Sequence, residues 1–359
     1  MKVLHILSDI DYSGAEIMLY TAEKHFKNAG IETWAMSTGS KDIGPFSEKM
    51  EEIGIGVKYI PFSKSIKHFL EMKKFIKDGN FDTIHIHKES AFLWTALACR
   101  LTFQKHNIVR TIHNNFRYKG YLKVRRKLHH WIAQNLLGIK FISISEEVKN
   151  NEKSLYGTRS VLINNWTDTD RFNITLNGSE EERNKRKFTF VSVGECSEVK
   201  NHMAIIRLVR KLKDRGFIFQ YIHLGKGPLE EAEIQLSKEL DITDQVIFIG
   251  NDVKVDKYLT YGDYYLMPSF FEGLSISCAE AMSSGKVCIV NDAPGLRTMI
   301  KNNDTGFVVD FNDLDKVADV LLSIYQDPAL KKRLAESARK YIVQNYSLEN
   351  VKKQIEMYV

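Results

Sequence analysis

Residues 264–292 read YYLMPSFFEGLSISCAEAMSSGKVCIVND. The apolar run Tyr265-Leu266-Met267 stops at Pro268, which predicts a buried strand ending in a turn. Glu272 and Gly273 follow. Apolar positions at Ile276, Ala279, Ala281 and Met282 then predict a helix ending at Gly285, and Val287-Cys288-Ile289-Val290 predicts a second buried strand. Strand, turn, helix and strand form one right-handed crossover between parallel strands. Ligands of open α/β sheets bind at the carboxyl ends of strands, where the Glu272 turn falls.

The same alternation runs outward from this unit. Strands are predicted near 3–8, 32–37, 57–62, 83–87, 107–113, 140–145 and 161–164, and again near 188–194, 219–225, 246–250, 264–268 and 287–291. Helical patterns lie between them, so the fold class is α/β with doubly wound parallel sheets. Asn173 to Lys187 is polar and lacks apolar period, which marks a linker or exposed loop. The expected organisation is a first domain over 1–168, a linker over 169–187, a second domain over 188–340 and a terminal helix over 341–359.

A chain of 359 residues, 43% hydrophobic and 27% charged, is long enough for two separate cores. The apolar run in MKVLHILSD is too short for a signal peptide, and no run approaches the length that crosses a bilayer. Cys99, Cys196, Cys278 and Cys288 lack metal spacing, which points to a reduced, cytoplasmic compartment and to no metal. Residues 1–165 hold 25 Lys+Arg against 16 Asp+Glu, leaving 26 against 29 for the remainder. The basic half is therefore expected to face something anionic.

Glu272 precedes the predicted helix and Glu280 lies within it. Eight helical residues would separate them by roughly 12 Å along the axis, too far to share a metal or act on one bond. Two polyol ends of an elongated ligand would suit such a pair. Between them the amides of Gly273, Leu274 and Ser275 would form an anion site at a helix start. Carboxylate, amides and carboxylate would match sugar, diphosphate and ribose. Taken as isolated residues, the two acids would instead be a helix-dipole residue and a solvated position.

Elsewhere, Gly14 opens a helix after the first strand and reads equally as a turn glycine or as a close backbone approach to a ligand. His85 and His87 are read as facing opposite sides of the fourth strand. His87, at its carboxyl end, is either a site residue or a satisfied core histidine. His113 ends the fifth strand and is a site candidate. Lys200 follows a strand beside a helix start and suits a phosphate. Arg117, Lys119, Lys123, Arg125, Arg126 and Lys127 cluster with Trp131, Leu136 and Leu137. That cluster reads as a surface for anionic lipid and a lipid-diphosphate acceptor, with a solvated helix face as the alternative. Interleaved stacking aromatics on strands are missing, which argues against nucleic acid.

Pro268, Ser269, Glu272, Gly273, Glu280, Ala281, Met282 and Gly285 match P-S-x-x-E-G-x6-E-A-M-x-x-G. This segment resembles the E-x7-E motif of retaining glycosyltransferases with the GT-B fold, most closely glycosyltransferase family 4. The resemblance implies two Rossmann-like domains facing across a cleft, an acceptor domain first and a nucleotide-sugar domain second. In that family the terminal helix crosses back to the first domain. It implies that Glu272 holds sugar hydroxyls and Glu280 the ribose, that Lys200 serves the diphosphate, and that His113 (in Thr111-x-His113) contacts the donor sugar. Ser13-Gly14-Ala15-Glu16 resembles the family's G-G-A-E turn, and Asn165, Asp168 and Phe172 match its interdomain segment, with Trp166 in place of a glycine. Glu195 stands where the family has Arg, and Thr298 where it has Glu. Arg297 is the candidate to restore the missing positive charge.

The implied reaction is transfer of a sugar from a UDP-sugar or GDP-sugar to a glycan or lipid-linked acceptor, with retention and with no cofactor or metal. Cell-surface polysaccharide synthesis at the inner face of the membrane is the expected setting. A GT-B epimerase or hydrolase of nucleotide sugars and a non-catalytic nucleotide-sugar binder are the alternatives.

Overall fold

The computed structural model describes residues 1–39, 42–89, 92–115, 117–173 and 188–359; most of the expected linker lies outside them. The chain forms two compact units, Met1–Trp166 with Leu348–Val359, and Thr167–Ser347.

The first unit carries seven strands: β1 (Lys2–Leu7), β2 (Glu32–Ser37), β3 (Gly56–Tyr59), β4 (Thr83–Ile86), β5 (Asn107–Ile112), β6 (Lys140–Ser143) and β7 (Ser160–Leu162). They form one sheet in the order β3-β2-β1-β4-β5-β6-β7, and every pairing is parallel. Such strands are covered on both faces by helices, which is why β1 reads KVLHIL and β5 NIVRTI with little polar alternation. The last helix, Glu349–Glu356, packs in this unit, and Tyr358 closes it. Thr83 Oγ1 donates to the Tyr358 carbonyl at 3.1 Å, and the Tyr358 hydroxyl meets His85 Nδ1 at 2.8 Å.

The second unit carries β8 (Phe188–Val193), β9 (Phe219–Leu224), β10 (Val246–Gly250), β11 (Tyr264–Met267), β12 (Val287–Asn291) and β13 (Phe307–Val309). Their order is β10-β9-β8-β11-β12-β13, again all parallel. Phe190, Tyr221, Leu266 and Ile289 from its strands meet Ile205, Leu208 and Leu212 of the helix Met203–Asp214 in one core. Burying a side chain of this size contributes about 1.5–3 kcal/mol. β13 is not among the strands expected from the sequence.

Each sheet reverses its winding once, between β1 and β4 in the first unit and between β8 and β11 in the second. Crevices for ligands open at such points, because the loops leaving the two central strands diverge.

Candidate functional site

At the switch point of the second unit, the loop after β8 meets the turn after β11. Phe270 N donates to the Val199 carbonyl at 2.9 Å, and Asn201 Nδ2 to the Pro268 carbonyl at 3.4 Å. Gly295 explains how the turn after β12 joins them. A Cβ there would sit 2.2 Å from the Gly273 carbonyl oxygen, so only glycine allows this approach. Lys200 Nζ, held by the first loop, lies 2.7 Å from Glu272 Oε1 in the second. The carboxylate is 10% exposed and the lysine 25%, a half-sheltered pair.

The helix after this turn spans Ile276–Ser283, with Ser275 as its N-cap; Ser275 Oγ accepts from Cys278 N at 3.2 Å. Gly273 and Leu274 therefore belong to the loop rather than the helix, which corrects the expectation that they open it. The rise of 1.5 Å per residue applies only from Ile276 onward, so the 12 Å estimate does not stand. Among the described residues no acceptor meets the Gly273, Leu274 or Ser275 amides, which leaves three donors beside Glu272. Glu280 is buried at 6% exposure. Burial pushes its carboxyl up to about 8, the Arg171 charge pulls it down, and Asp256 pushes it up. Arg171 is ion-paired with Asp256 through its Nε at 2.9 Å. These two residues lie 85 apart in sequence, and no local pattern pointed to them.

Arg297 is exposed and its guanidinium is engaged by Asp292, five residues before it. The pair carries no net charge as it stands. Thr298 is exposed, and its hydroxyl donates to the Gly295 carbonyl of its own helix at 2.8 Å. Glu195 is exposed.

In the first unit, His5 Nδ1 meets His87 Nε2 at 3.0 Å, and His87 Nδ1 meets His113 Nε2 at 3.0 Å. His85 and His87 do not face opposite sides. Residues two apart on a strand share a face, and their rings are 4.1 Å apart. His85 is fully buried and spent on Tyr358 and Thr111, whereas His87 and His113 are only half-buried. Burial holds His113 down at about 4 and His5 at about 3, with the Arg110 charge adding to the effect on His113. The rings are therefore neutral at pH 7 and act as hydrogen-bond partners, each tautomer set by its neighbour. A small cavity lies against this file, lined by Met18, His87, His113, Trp166 and Gln354. Trp166 closes it and donates through Nε1 to the Met18 carbonyl at 3.1 Å. Beside it, Gly14 begins the helix Gly14–Asn28, and the Ser13 hydroxyl donates to buried Glu16.

The basic cluster divides. Arg126 is 5% exposed and faces inward, with Nη2 2.8 Å from Glu152 Oε1 and Nη1 on Glu89. Arg110, fully buried, joins the same network through Glu89. Arg126 is thus a core residue, which corrects its assignment to an acceptor or membrane surface. Arg117 pairs loosely with Glu147 at 3.6 Å, while Lys119, Lys123, Arg125 and Lys127 are exposed. On the same helix, Gly120–Asn135, Tyr121 is 75% exposed, and Val124, Leu128 and Trp131 are 66%, 54% and 52% exposed. Their spacing of three, four and three makes one stripe, opposite the buried side of Arg126, His130 and Ala133. Among the described residues no helix is long and apolar enough to cross a membrane.

The family described as "Glycosyltransferase Family 4" matches residues 12–171, and "Glycosyl transferases group 1" matches residues 174–341. The chain is 22% identical over 341 residues to the UDP-Gal:alpha-D-GlcNAc-diphosphoundecaprenol alpha-1,3-galactosyltransferase of Escherichia coli, covering 89% of this chain and 87% of that protein. A crystal structure of a glycosyltransferase from Rickettsia africae superposes with a TM-score of 0.79 at 20% identity, covering 99% of this chain and 97% of that one. The Anabaena protein HepE, crystallised with UDP and glucose, gives a TM-score of 0.80 at 16% identity, with 99% and 98% covered. These likenesses identify the fold as GT-B.

Proposed function

The chain belongs to glycosyltransferase family 4, and from that premise we propose that it moves a sugar from a nucleoside diphosphate sugar to a lipid-linked or glycan acceptor, with retention and without a catalytic metal. The observation that carries this reading is the crevice of the second unit. There a lysine lies 2.7 Å from a carboxylate, three amides without an acceptor among the described residues follow that carboxylate in the turn, and the next helix carries a second, buried carboxylate. A diphosphate needs the cation and the amides, and the two carboxylates can accept hydroxyl donors from the groups at its ends.

The chemistry asked of the protein is stabilisation of charge growing on the departing diphosphate. Lys200 supplies a mobile cation, since its partner Glu272 can turn to accept sugar hydroxyls when phosphate takes the ammonium. The amides of Gly273, Leu274 and Ser275 are fixed by the turn and require no reorganisation. Glu280 is the ribose ligand in this reading, and His113, held neutral, is a hydrogen-bond partner for the sugar. In the second unit, Glu272 is paired with Lys200 and Glu280 is buried, so neither is set as a nucleophile. This supports direct retention, with the diphosphate taking the acceptor proton, over a covalent intermediate.

The Escherichia coli relative is named for transfer to a lipid diphosphate, which supports an acceptor of that class. The exposed stripe Tyr121, Val124, Leu128 and Trp131, flanked by Lys123, Arg125 and Lys127, supports a peripheral contact with anionic lipid at the cytoplasmic face.

A thermal-shift screen of UDP, GDP and their sugars, followed by transfer assays on lipid diphosphates with the tightest donor, tests the reading. Stabilisation by one nucleotide series and acceptor-dependent product are expected. Acceptor-independent conversion of the donor would replace it with an epimerase or hydrolase, and binding without turnover over a broad acceptor panel with a non-catalytic binder.

A further inference from the structure

Beneath the loop that carries Lys200, four side chains from four separate segments converge. Cys196 leaves β8, His202 precedes the helix Met203–Asp214, His223 lies on β9, and Glu233 lies on the helix Glu230–Glu239. One ligand atom from each falls within 4.8 Å of all the others. Cys196, His223 and Glu233 are fully buried, and His202 is 3% exposed.

We propose that Cys196, His202, His223 and Glu233 bind one divalent metal ion of zinc's chemistry. The spacing decides between a metal site and a hydrogen-bonded cluster. His202 Nδ1 lies 3.6 Å from Glu233 Oε1, and His223 Nε2 lies 3.9 Å from Glu233 Oε2. Both exceed a hydrogen bond, His202 Nδ1 has no hydrogen-bond partner, and among the described residues the Glu233 carboxylate has only the Cys196 thiol beside it as a donor. A buried nitrogen left without a partner keeps its desolvation penalty uncompensated. Zinc bonds of about 2.0–2.3 Å to nitrogen, oxygen and sulfur place tetrahedral ligands about 3.3–3.6 Å apart. The 3.6 and 3.9 Å separations lie at and just beyond the upper end of that range, and the 3.2 Å hydrogen bond between Cys196 Sγ and His223 Nε2 would give way to bonds from both atoms to the ion.

The surroundings agree. His223 Nδ1 meets Ser192 Oγ at 2.9 Å, and Ser192 is itself 2.7 Å from the Tyr221 hydroxyl. Donation from Nδ1–H to Ser192 leaves the Nε2 lone pair directed at the cluster, the outer-shell arrangement of a ligating histidine. Charge also closes. Binding displaces the Cys196 thiol proton to solvent, and thiolate plus carboxylate then neutralise a dication between two neutral imidazoles. Mixed sulfur, nitrogen and oxygen donors suit zinc, and not the oxygen shells of magnesium or calcium. Four protein ligands leave no open position, so the ion is structural.

The consequence is local. Cys196 and His202 bracket Ser197–Asn201, so the ion would cross-link both ends of the loop that presents Lys200. The proposal rests on its own geometry and stands whatever donor the crevice takes.

The full chain, purified with its affinity tag removed, should carry about one zinc per chain by elemental analysis. Cobalt exchanged for zinc should show the thiolate-to-cobalt charge-transfer band and the intense visible bands of tetrahedral coordination. Cys196→Ser should lose the charge-transfer band, and Cys196→Ser with His223→Gln should lose the metal. Chelation should lower Tm, and zinc should restore it. A metal-free protein whose Tm zinc leaves unchanged, or cobalt spectra without the thiolate band, would overturn the proposal. So would undiminished zinc in the double variant. The wild-type cobalt spectrum serves where a variant does not fold, and none of these readouts depends on sugar transfer.

Discussion

Glu280 offers the sharpest test of how the second unit binds its donor. Burial raises its carboxyl from 4.5 to about 8. At pH 7 only about a tenth of the molecules then carry the carboxylate, and at pH 9 about nine tenths do. If a ribose diol must donate to the ionised form, apparent donor affinity is reduced by the competent fraction and rises about tenfold between those values. Titration calorimetry with a nucleoside diphosphate sugar, whose diphosphate does not titrate in this window, would measure it. Glu280→Gln should flatten the profile, and Asp256→Asn should move its midpoint to lower pH by removing a neighbouring negative charge. Stability runs the opposite way. The unfolded carboxyl ionises near 4.5 and the folded one near 8, so stability is full below 4.5, falls as pH rises from there and is lost once pH has passed through 8, by on the order of 5 kcal/mol in all. Glu280→Gln should therefore melt above the wild type at pH 9. A pH-independent donor affinity in the wild type would refute the ribose role, and equal melting of both proteins at pH 9 would refute the raised carboxyl.

Other outcomes follow from the same geometry. Glu272→Ala should lower kcat by about a hundredfold with its Tm little changed, because positioning of the donor sugar is lost; near-wild-type transfer would remove Glu272 from the site. Arg126→Ala should destabilise by about 3–5 kcal/mol in denaturant titration, since buried Glu152 keeps only the neutral donors His130 and Thr158 and loses its cation, whereas Lys127→Gln should stay within about 0.5 kcal/mol. The chain should float with vesicles rich in phosphatidylglycerol and not with neutral ones. Changing Lys119, Lys123, Arg125 and Lys127 to Gln should abolish that difference, and equal recovery of the wild type with both vesicles would exclude the anionic contact.

Much of this was legible in one dimension. Runs such as Tyr265-Leu266-Met267 and Val287-Cys288-Ile289-Val290 are apolar without alternation because both faces of a parallel strand are covered, and Pro268 ends the first because it cannot donate to a ladder. Those local rules, with the spacing from Glu272 to Gly285, were enough for the parallel sheets and for a turn carrying Glu272 at the carboxyl end of β11. Three-dimensional packing decided the rest. Arg126 stands among exposed Arg125 and Lys127, and only the docking of its helix turned it onto Glu89 and Glu152. Lys200 found Glu272 across 72 residues, and Cys196 came to lie beside His223 and Glu233 on other elements. A chain's own sequence encodes which face of each element is apolar. Which charges meet depends on how those faces are stacked, and that is a property of the folded units alone.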